Sequence, residues 1–328
     1  MFLSLPGGLK MPTVGYGTWE AAAEKLEAGL ENALEAGYRH IDTAYLYENE
    51  ETIGKVVNKW ISDGKIKRED LFLVTKLPPK GMSPKGVRKY AEASLKNIQV
   101  DYVDLFLLHF PLGMHDIEGN LVSLTPEGEV DFDYTTDHVA IWKEMEKLVD
   151  AGLAKAIGIS NFNITQIKRI LDNARIPPAN LQIELHAYFQ QKEMVNFCNK
   201  HNISVTCYSP LGSPDIGKFF AMFGDSVVVP NILKNPVVRD IATKHNKTSA
   251  QVLLRFSLQR GLAVIPKSVT PSRIRENINV FDFTLDECDM ENLRCLDKSP
   301  AGRVMDLTIF KGAKKHPEYP FPQIRSRL

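Results

Sequence analysis

An unbroken alternation of short apolar runs with helical patterns constrains this sequence more than any other feature. Eight runs of strand length recur: Thr13–Gly17, Arg39–Thr43, Leu71–Leu77, Val103–His109, Ala154–Ser160, Leu181–His186, Ser204–Ser209 and Ala263–Ser268. Each is followed by helical material. Glu24–Ala36 carries Leu26, Leu30, Ala33 and Leu34 at helical spacing. Glu50–Asp63 opens with acids, which suit the positive end of a helix dipole. Pro84–Ile98 has Ser83 to cap it and proline in its first turn, where no amide hydrogen is needed. Further helices are expected over Val139–Asp150, Ile164–Asn173, Lys192–Asn199, Val237–His245, Ser249–Gln259 and Ser272–Asn277. Parallel neighbours need a crossover between them, so strict alternation predicts a parallel sheet. Eight such units in 328 residues match an α/β fold of the (β/α)8 TIM-barrel type. The rival, a doubly wound open sheet, normally carries G-x-G-x-x-G after its first strand. Here Gly15-Tyr16-Gly17 runs into Thr18-Trp19-Glu20, so that fingerprint is absent.

Without a linker or low-complexity segment, residues 1–328 are expected to form a single barrel domain. Met1–Pro12 reads as an N-terminal β-hairpin turning at Pro6-Gly7-Gly8. Three segments are too long for plain connections: Pro111–Asp137 after the fourth strand, Pro210–Asn235 after the seventh, and the tail Ser299–Leu328. In a barrel, the loops that follow strands rim the face that carries function. These segments, with apolar runs such as Phe219-Phe220-Ala221-Met222-Phe223, are therefore expected to wall a pocket, with the C-terminal tail 299–328 lying over it.

Lysine plus arginine and aspartate plus glutamate each total 40, a zero balance that argues against nucleic-acid binding. Cys198, Cys207, Cys288 and Cys295 form no C-x-x-C pair, so free thiols in a reducing compartment and no metal site are expected. Met1–Lys10 lacks the pattern of a secretory signal. No apolar run approaches the ~18 residues of a membrane span. The sequons at Asn163, Asn202 and Asn246 then read as chance matches. A cytoplasmic location is expected. The alternative is peroxisomal, because Ser326-Arg327-Leu328 is a close variant of the Ser-Lys-Leu address. No long apolar surface helix demands a partner, so a monomer is expected.

Four polar side chains fall at or just after strand ends: Asp42, Tyr47, Lys76 and His109. Singly each is ordinary: a turn acid, a surface phenol, a strand-end amine and a core imidazole. Together they can protonate a carbonyl oxygen. An ammonium beside a phenol favours the phenolate and is expected to lower the phenol's pKa. An aspartate beside the lysine keeps the ammonium in place, and a neutral histidine can orient the oxygen. Downstream, Lys267 ends the eighth strand and Arg273 lies in the first turn of the next helix. With the Ser268 and Thr270 hydroxyls they suit a phosphate, because a helix N-terminus favours anions and guanidinium offers forked donors.

The motifs Gly37-Tyr38-Arg39-His40-Ile41-Asp42-Thr43-Ala44 with Tyr47, Leu107-Leu108-His109, Gly158-Ile159-Ser160-Asn161-Phe162, Tyr208-Ser209-Pro210-Leu211-Gly212 and Ile265-Pro266-Lys267-Ser268 resemble the aldo-keto reductase superfamily, in its aldose and aldehyde reductase branch, nearly end to end. The resemblance implies a (β/α)8 barrel that reduces small-molecule carbonyls with NADPH. In it, Tyr47 is the general acid, tuned by Lys76 and Asp42, and His109 orients the carbonyl. It implies that Ser160, Asn161 and Gln182 hold the carboxamide, Tyr208 stacks on the nicotinamide, and Thr18 and Trp19 sit beside it. Ser209, Leu211 and Ser213 would line the pyrophosphate, with Asp215 on the ribose side. Lys267, Ser268, Thr270 and Arg273 would clamp the 2′-phosphate, and Glu276 and Asn277 would meet the adenine. Trp19, Leu46 and Phe110 would bind substrate. Histidine at 109, where members that reduce steroid double bonds carry glutamate, points to C=O rather than C=C reduction. Pro78 and Phe110 occupy places where many relatives carry tryptophan, so both pocket walls are expected to differ. Leu181 and Ala187 depart from the family's common asparagine and proline, away from the proposed chemistry. Two rival readings are a cofactor-binding member without catalytic duty, like the lens crystallins or channel subunits, and a phosphate-binding barrel isomerase.

Overall fold

A computed structural model of the chain describes residues 1–222, 227 and 229–321. Its centre is a sheet of eight parallel strands: β1 (Tyr16–Gly17), β2 (His40–Asp42), β3 (Phe72–Leu77), β4 (Val103–Leu108), β5 (Ala154–Ser160), β6 (Asn180–Glu184), β7 (Ser204–Tyr208) and β8 (Ala263–Val264). They neighbour one another in sequence order, with registers such as Tyr16 opposite Ile41 and Lys76 opposite Leu107. The first and last strands then meet. The Gly15 amide donates to the Val264 carbonyl at 2.8 Å, the Val264 amide to Thr13 at 2.8 Å and the Gly17 amide to Pro266 at 3.3 Å. A Cβ on Gly17 would lie 2.6 Å from the Ile265 carbonyl oxygen, so this closing seam requires glycine. The first predicted run is thus regular strand only over Tyr16–Gly17, and Val14 joins by a bridge to Val264.

Successive strand residues face opposite sides, and here that period of two builds the site. Phe72 and Val74 on β3 and Leu105 and Leu107 on β4 pack inside the barrel with Ala156, Ala179 and Ala263. Leu5 and Met11 of the N-terminal hairpin, whose strands are Phe2–Ser4 and Lys10–Pro12, close its base. Leu73, Leu77, Phe106 and Leu108 belong to the outer layer beneath the helices. Continuing the inward series by two residues gives Lys76 on β3 and His109 just past β4. His40 and Asp42 on β2, and Asn180, Gln182 and Glu184 on β6, follow the same alternation around outward Ile41, Leu181 and Ile183. Asp42, Lys76, His109 and Glu184 therefore cap an apolar interior at the C-terminal ends of the strands, whereas His40 and Asn180 begin theirs.

The helices are α1 (Ala23–Glu35), α2 (Glu50–Ser62), α3 (Pro84–Ile98), α4 (His138–Asp150), α5 (Ile164–Leu171), α6 (Lys192–Lys200), α7 (Ile216–Met222), α8 (Pro236–His245), α9 (Ser249–Gln259), α10 (Pro271–Ile278) and α11 (Glu287–Arg294). Ser83 caps α3 as expected, accepting from the Gly86 amide. Two helices lie outside the segments predicted as helical. α7 falls inside the long segment after β7. α11 buries only Asp289, Met290 and Leu293 and has a weak apolar stripe. Its capping box, with Asp286 and Asp289 bonding each other's amides, was the available signal. The long segment after β4 carries a short ladder, Gly113–Met114 against Phe132–Asp133. It packs on the tail through Leu112, Met114, Phe132, Leu307 and Phe310. Among the described residues no helix is long and apolar enough to cross a membrane. Phe223 and Ser326-Arg327-Leu328 lie outside the described residues.

Candidate active site

The four strand-end residues come together. Tyr47 ends a 3-10 turn, Tyr45–Tyr47, that follows β2. The Lys76 ammonium, fully buried, donates to Asp42 Oδ1 at 2.6 Å, to the Thr43 carbonyl at 2.8 Å and to Tyr47 Oη at 3.2 Å. The other Asp42 oxygen accepts from Gln182 Nε2 at 2.6 Å. The Tyr47 and His109 rings meet edge to face at 5.6 Å, and Phe110 stacks on His109 at 4.2 Å with 10° between planes. His109 Nδ1 is buried without a hydrogen-bond partner among the described residues.

The electrostatics follow from burial. Desolvation, helped by the Asp42 charge, holds the Tyr47 phenol well above its ordinary value. The expected lowering by Lys76 is therefore not found, because burial and Asp42 outweigh it. Burial also lowers Lys76, although Asp42 opposes that shift. Burial and the nearby Lys76 charge hold His109 well below 6.5, so its imidazole is neutral. The resident forms are a neutral phenol and a neutral imidazole, both able to donate a hydrogen bond.

Asp42, Tyr47 and His109 line a cavity of about 1500 Å³ that runs across the barrel mouth. Small-molecule pockets are typically ~300–1,000 Å³. This cavity therefore has room for a dinucleotide and a second molecule. Lys76 does not line it. The amine sits behind the wall and can act only through Tyr47 and Asp42. Every other residue expected to bind cofactor or substrate lines the cavity. Near Tyr47 and His109, Tyr208 Oη donates to Asn161 Oδ1 at 2.8 Å, and Asn161 Nδ2 donates to the His109 carbonyl at 3.0 Å and to Ser160 Oγ at 3.1 Å. Thr18 Oγ1 donates to the Asp42 carbonyl at 2.9 Å. Gln182 presents its carbonyl oxygen, since its nitrogen is held by Asp42. Asn161, Ser209 and Ser213 take left-handed backbone, with φ of 66°, 50° and 43°, where the chain turns off β5 and β7. Ser213 Oγ donates to Ser209 Oγ at 2.8 Å, whereas Asp215 is an exposed rim residue beside Lys218.

The far end of the cavity is cationic. Lys267 and Arg273 are exposed there, and Lys267 Nζ donates to the Glu20 carbonyl at 3.2 Å. Thr270 precedes α10 without making a side-chain cap, so the helix presents its first amides uncapped. Two cations, two hydroxyls and an open helix N-terminus make a donor set suited to a phosphate monoester. Amides and a tyrosine ring at the other end suit a carboxamide-bearing ring. The residues present thus fit a phosphorylated nicotinamide dinucleotide.

Two points differ from expectation. Pro78 is buried in a turn, where its carbonyl accepts the Gly81 amide at 2.8 Å, and it does not line the cavity. Of the two changed walls only Phe110 faces it. The missing wall comes from residues that no sequence motif marks: Leu121 and Val122 after β4, and Met305, Leu307, Ile309 and Phe310 in the tail. Their signal was apolar residues recurring inside otherwise polar segments. Trp19 packs edge to face on Phe219 at 5.0 Å, so α7 also leans over the mouth.

The aldo/keto reductase family model matches residues 13–298. The chain is 41% identical over 327 residues to aldo-keto reductase family 1 member A1 of Gallus gallus, covering 98% of this chain and 97% of that one. It is 40% identical over 324 residues to dihydrodiol dehydrogenase 3 of Bos taurus, covering 97% of each. Among solved structures, the aldose reductase from Schistosoma japonicum superposes with a TM-score of 0.88 at 41% identity, covering 98% of both chains.

Proposed function

The chain belongs to the aldo/keto reductase family and is an oxidoreductase, and on that premise we propose that it reduces aldehydes and bulky ketones to alcohols with NADPH, Tyr47 giving the proton. The observation that carries this reading is the buried chain Asp42–Lys76–Tyr47, at 2.6 and 3.2 Å, opening on the cavity beside His109. A cofactor-binding protein without chemistry would have no use for it.

When bound, the reduced nicotinamide supplies a hydride to the carbonyl carbon. The chain's own residues handle the oxygen. His109, kept neutral by burial, offers a ring N–H that orients it. Tyr47 Oη transfers its proton as the C=O π bond opens, so a C–H and an O–H bond form and a phenolate remains. Lys76 balances that charge from 3.2 Å, held in place by Asp42, and the phenolate then regains a proton from water. A positioned donor of this kind is worth about 10²–10⁴ in rate. Lys267, Ser268, Thr270 and Arg273 favour NADPH over NADH by meeting the 2′-phosphate. Trp19, Leu46 and Phe110 with the tail give substrate an apolar wall. The protein is read as one functional unit acting as a monomer in the cytoplasm.

The test is Tyr47→Phe. The variant should still change the fluorescence of added NADPH but lose turnover of an aromatic aldehyde. Turnover near that of the wild type would remove Tyr47 as the donor.

A further inference from the structure

A buried carboxylate fastens the start of the tail that walls the cavity. Glu184 is the last residue of β6, two inward positions beyond Asn180 and one beyond Gln182, and it is 1% exposed. Its Oε1 accepts the Val304 amide at 2.9 Å and the His186 Nε2–H at 3.0 Å. Its Oε2 accepts the Met305 amide at 2.8 Å and shares that of Val304 at 3.1 Å. Bonds from amides to a buried carboxylate are roughly twice as strong as neutral ones. Two consecutive amides aimed at one carboxylate fix the tail's rotation as well as its height.

Beyond Val304 the tail becomes cavity wall. Val304 packs with Ile216 and Phe220 of α7, and Met305, Leu307, Ile309 and Phe310 face the cavity. Glu184 itself does not line it. We propose that Glu184 is a positioning residue that sets substrate-size selectivity. By holding the Val304 and Met305 amides, it keeps the apolar wall of the tail where the far end of a long apolar carbonyl compound would lie. A short aldehyde, bound at Tyr47 and His109, does not reach that wall. The proposal rests on the carbonyl-reductase reading.

The fold carries its own control. Glu146 on α4 is also buried and accepts two consecutive amides, Arg175 at 2.6 Å and Ile176 at 2.9 Å, but on the outside of the barrel, away from the cavity. The experiment measures NADPH-dependent reduction of propanal and decanal by the full chain, Glu184→Gln and Glu146→Gln. Glutamine keeps the shape of Glu184 but turns a donor toward one of the two amides. Glu184→Gln should keep kcat and KM for propanal within about twofold and raise KM for decanal about tenfold, the order expected when contacts to one or two methylenes are lost. Glu146→Gln should leave the ratio between the aldehydes unchanged. Met305→Ala should also raise KM for decanal, and combining it with Glu184→Gln should add little, because both act through one wall. An equal change for both aldehydes in Glu184→Gln, the same selectivity shift in Glu146→Gln, or fully additive effects overturns the proposal. Should Glu184→Gln not fold, amide exchange in the unaltered protein decides: Val304 and Met305 must be strongly protected, and free exchange there refutes the clasp. A wild-type protein that reduces neither aldehyde sinks the reductase reading instead.

Discussion

Replacing Lys76 by methionine separates proton delivery from cofactor binding. The amine lies behind the cavity wall, so its removal takes no contact from ligand. It does take away the cation bonded to Tyr47 Oη at 3.2 Å, the only one among the described residues. At that separation and an effective dielectric near ~20, a full charge on the phenolate and the ammonium attract by about 5 kcal/mol. A transition state carrying half of that charge loses about 2.5 kcal/mol, or roughly 10² in rate, and one carrying all of it roughly 10⁴. Lys76→Met should therefore lower kcat for an aromatic aldehyde by about 10²–10⁴ while the NADPH dissociation constant, read by fluorescence, changes little. The substitution also strands Asp42, whose remaining side-chain bond is to Gln182 at 2.6 Å. Stranding a buried charge costs about 3–5 kcal/mol, which denaturant melts would register. Pairing it with Asp42→Asn should restore most of that stability but not the rate. A Lys76→Met protein whose kcat stays within about threefold of wild type refutes the role given to the ammonium.

Because burial raises Tyr47 well above 10.0 and lowers His109 well below 6.5, both groups keep their working protonation states between those limits. Neither group should titrate in kcat between pH 6.5 and 10.0, so a loss of rate as pH rises belongs to Lys76, which burial lowers from its ordinary value, and a fall in kcat as pH drops from 10.0 to 6.5 contradicts the assignment. Changing Lys267 or Arg273 to methionine should weaken NADPH roughly tenfold each while leaving NADH nearly unaltered, checked by fluorescence titration of both; equal losses for the two cofactors would place the phosphate elsewhere. Glu318 anchors the tail to α5 through Arg169 and Gln166. Although burial pushes its carboxyl up, those bonds outweigh it and hold the group below 4.5. A depressed acid contributes stability that is present above its unfolded value and is lost as pH falls through the folded one. Glu318→Gln should thus cost about 1 kcal/mol at neutral pH, with the gap to wild type closing as pH falls below 4.5.

The sequence by itself determined the eight-fold alternation, and with it the barrel. Strand and helix periods are written in consecutive residues and need no knowledge of what packs against them. The ends of those strands marked Asp42, Lys76 and His109, and the Lys267–Arg273 segment was legible because its donors are neighbours in the chain. Only the tertiary structure decided the rest. It set Tyr47's direction of titration, because desolvation depends on everything packed around the phenol, whereas the adjacent Lys76 and Asp42 were all the sequence could offer. It took Pro78 out of the pocket and kept Phe110. It brought Glu184 to Val304 and Met305, and Phe132 to Leu307 and Phe310. Contacts between segments more than a hundred residues apart leave no periodic trace; they exist only once the barrel has closed and its long segments have found one another across its mouth.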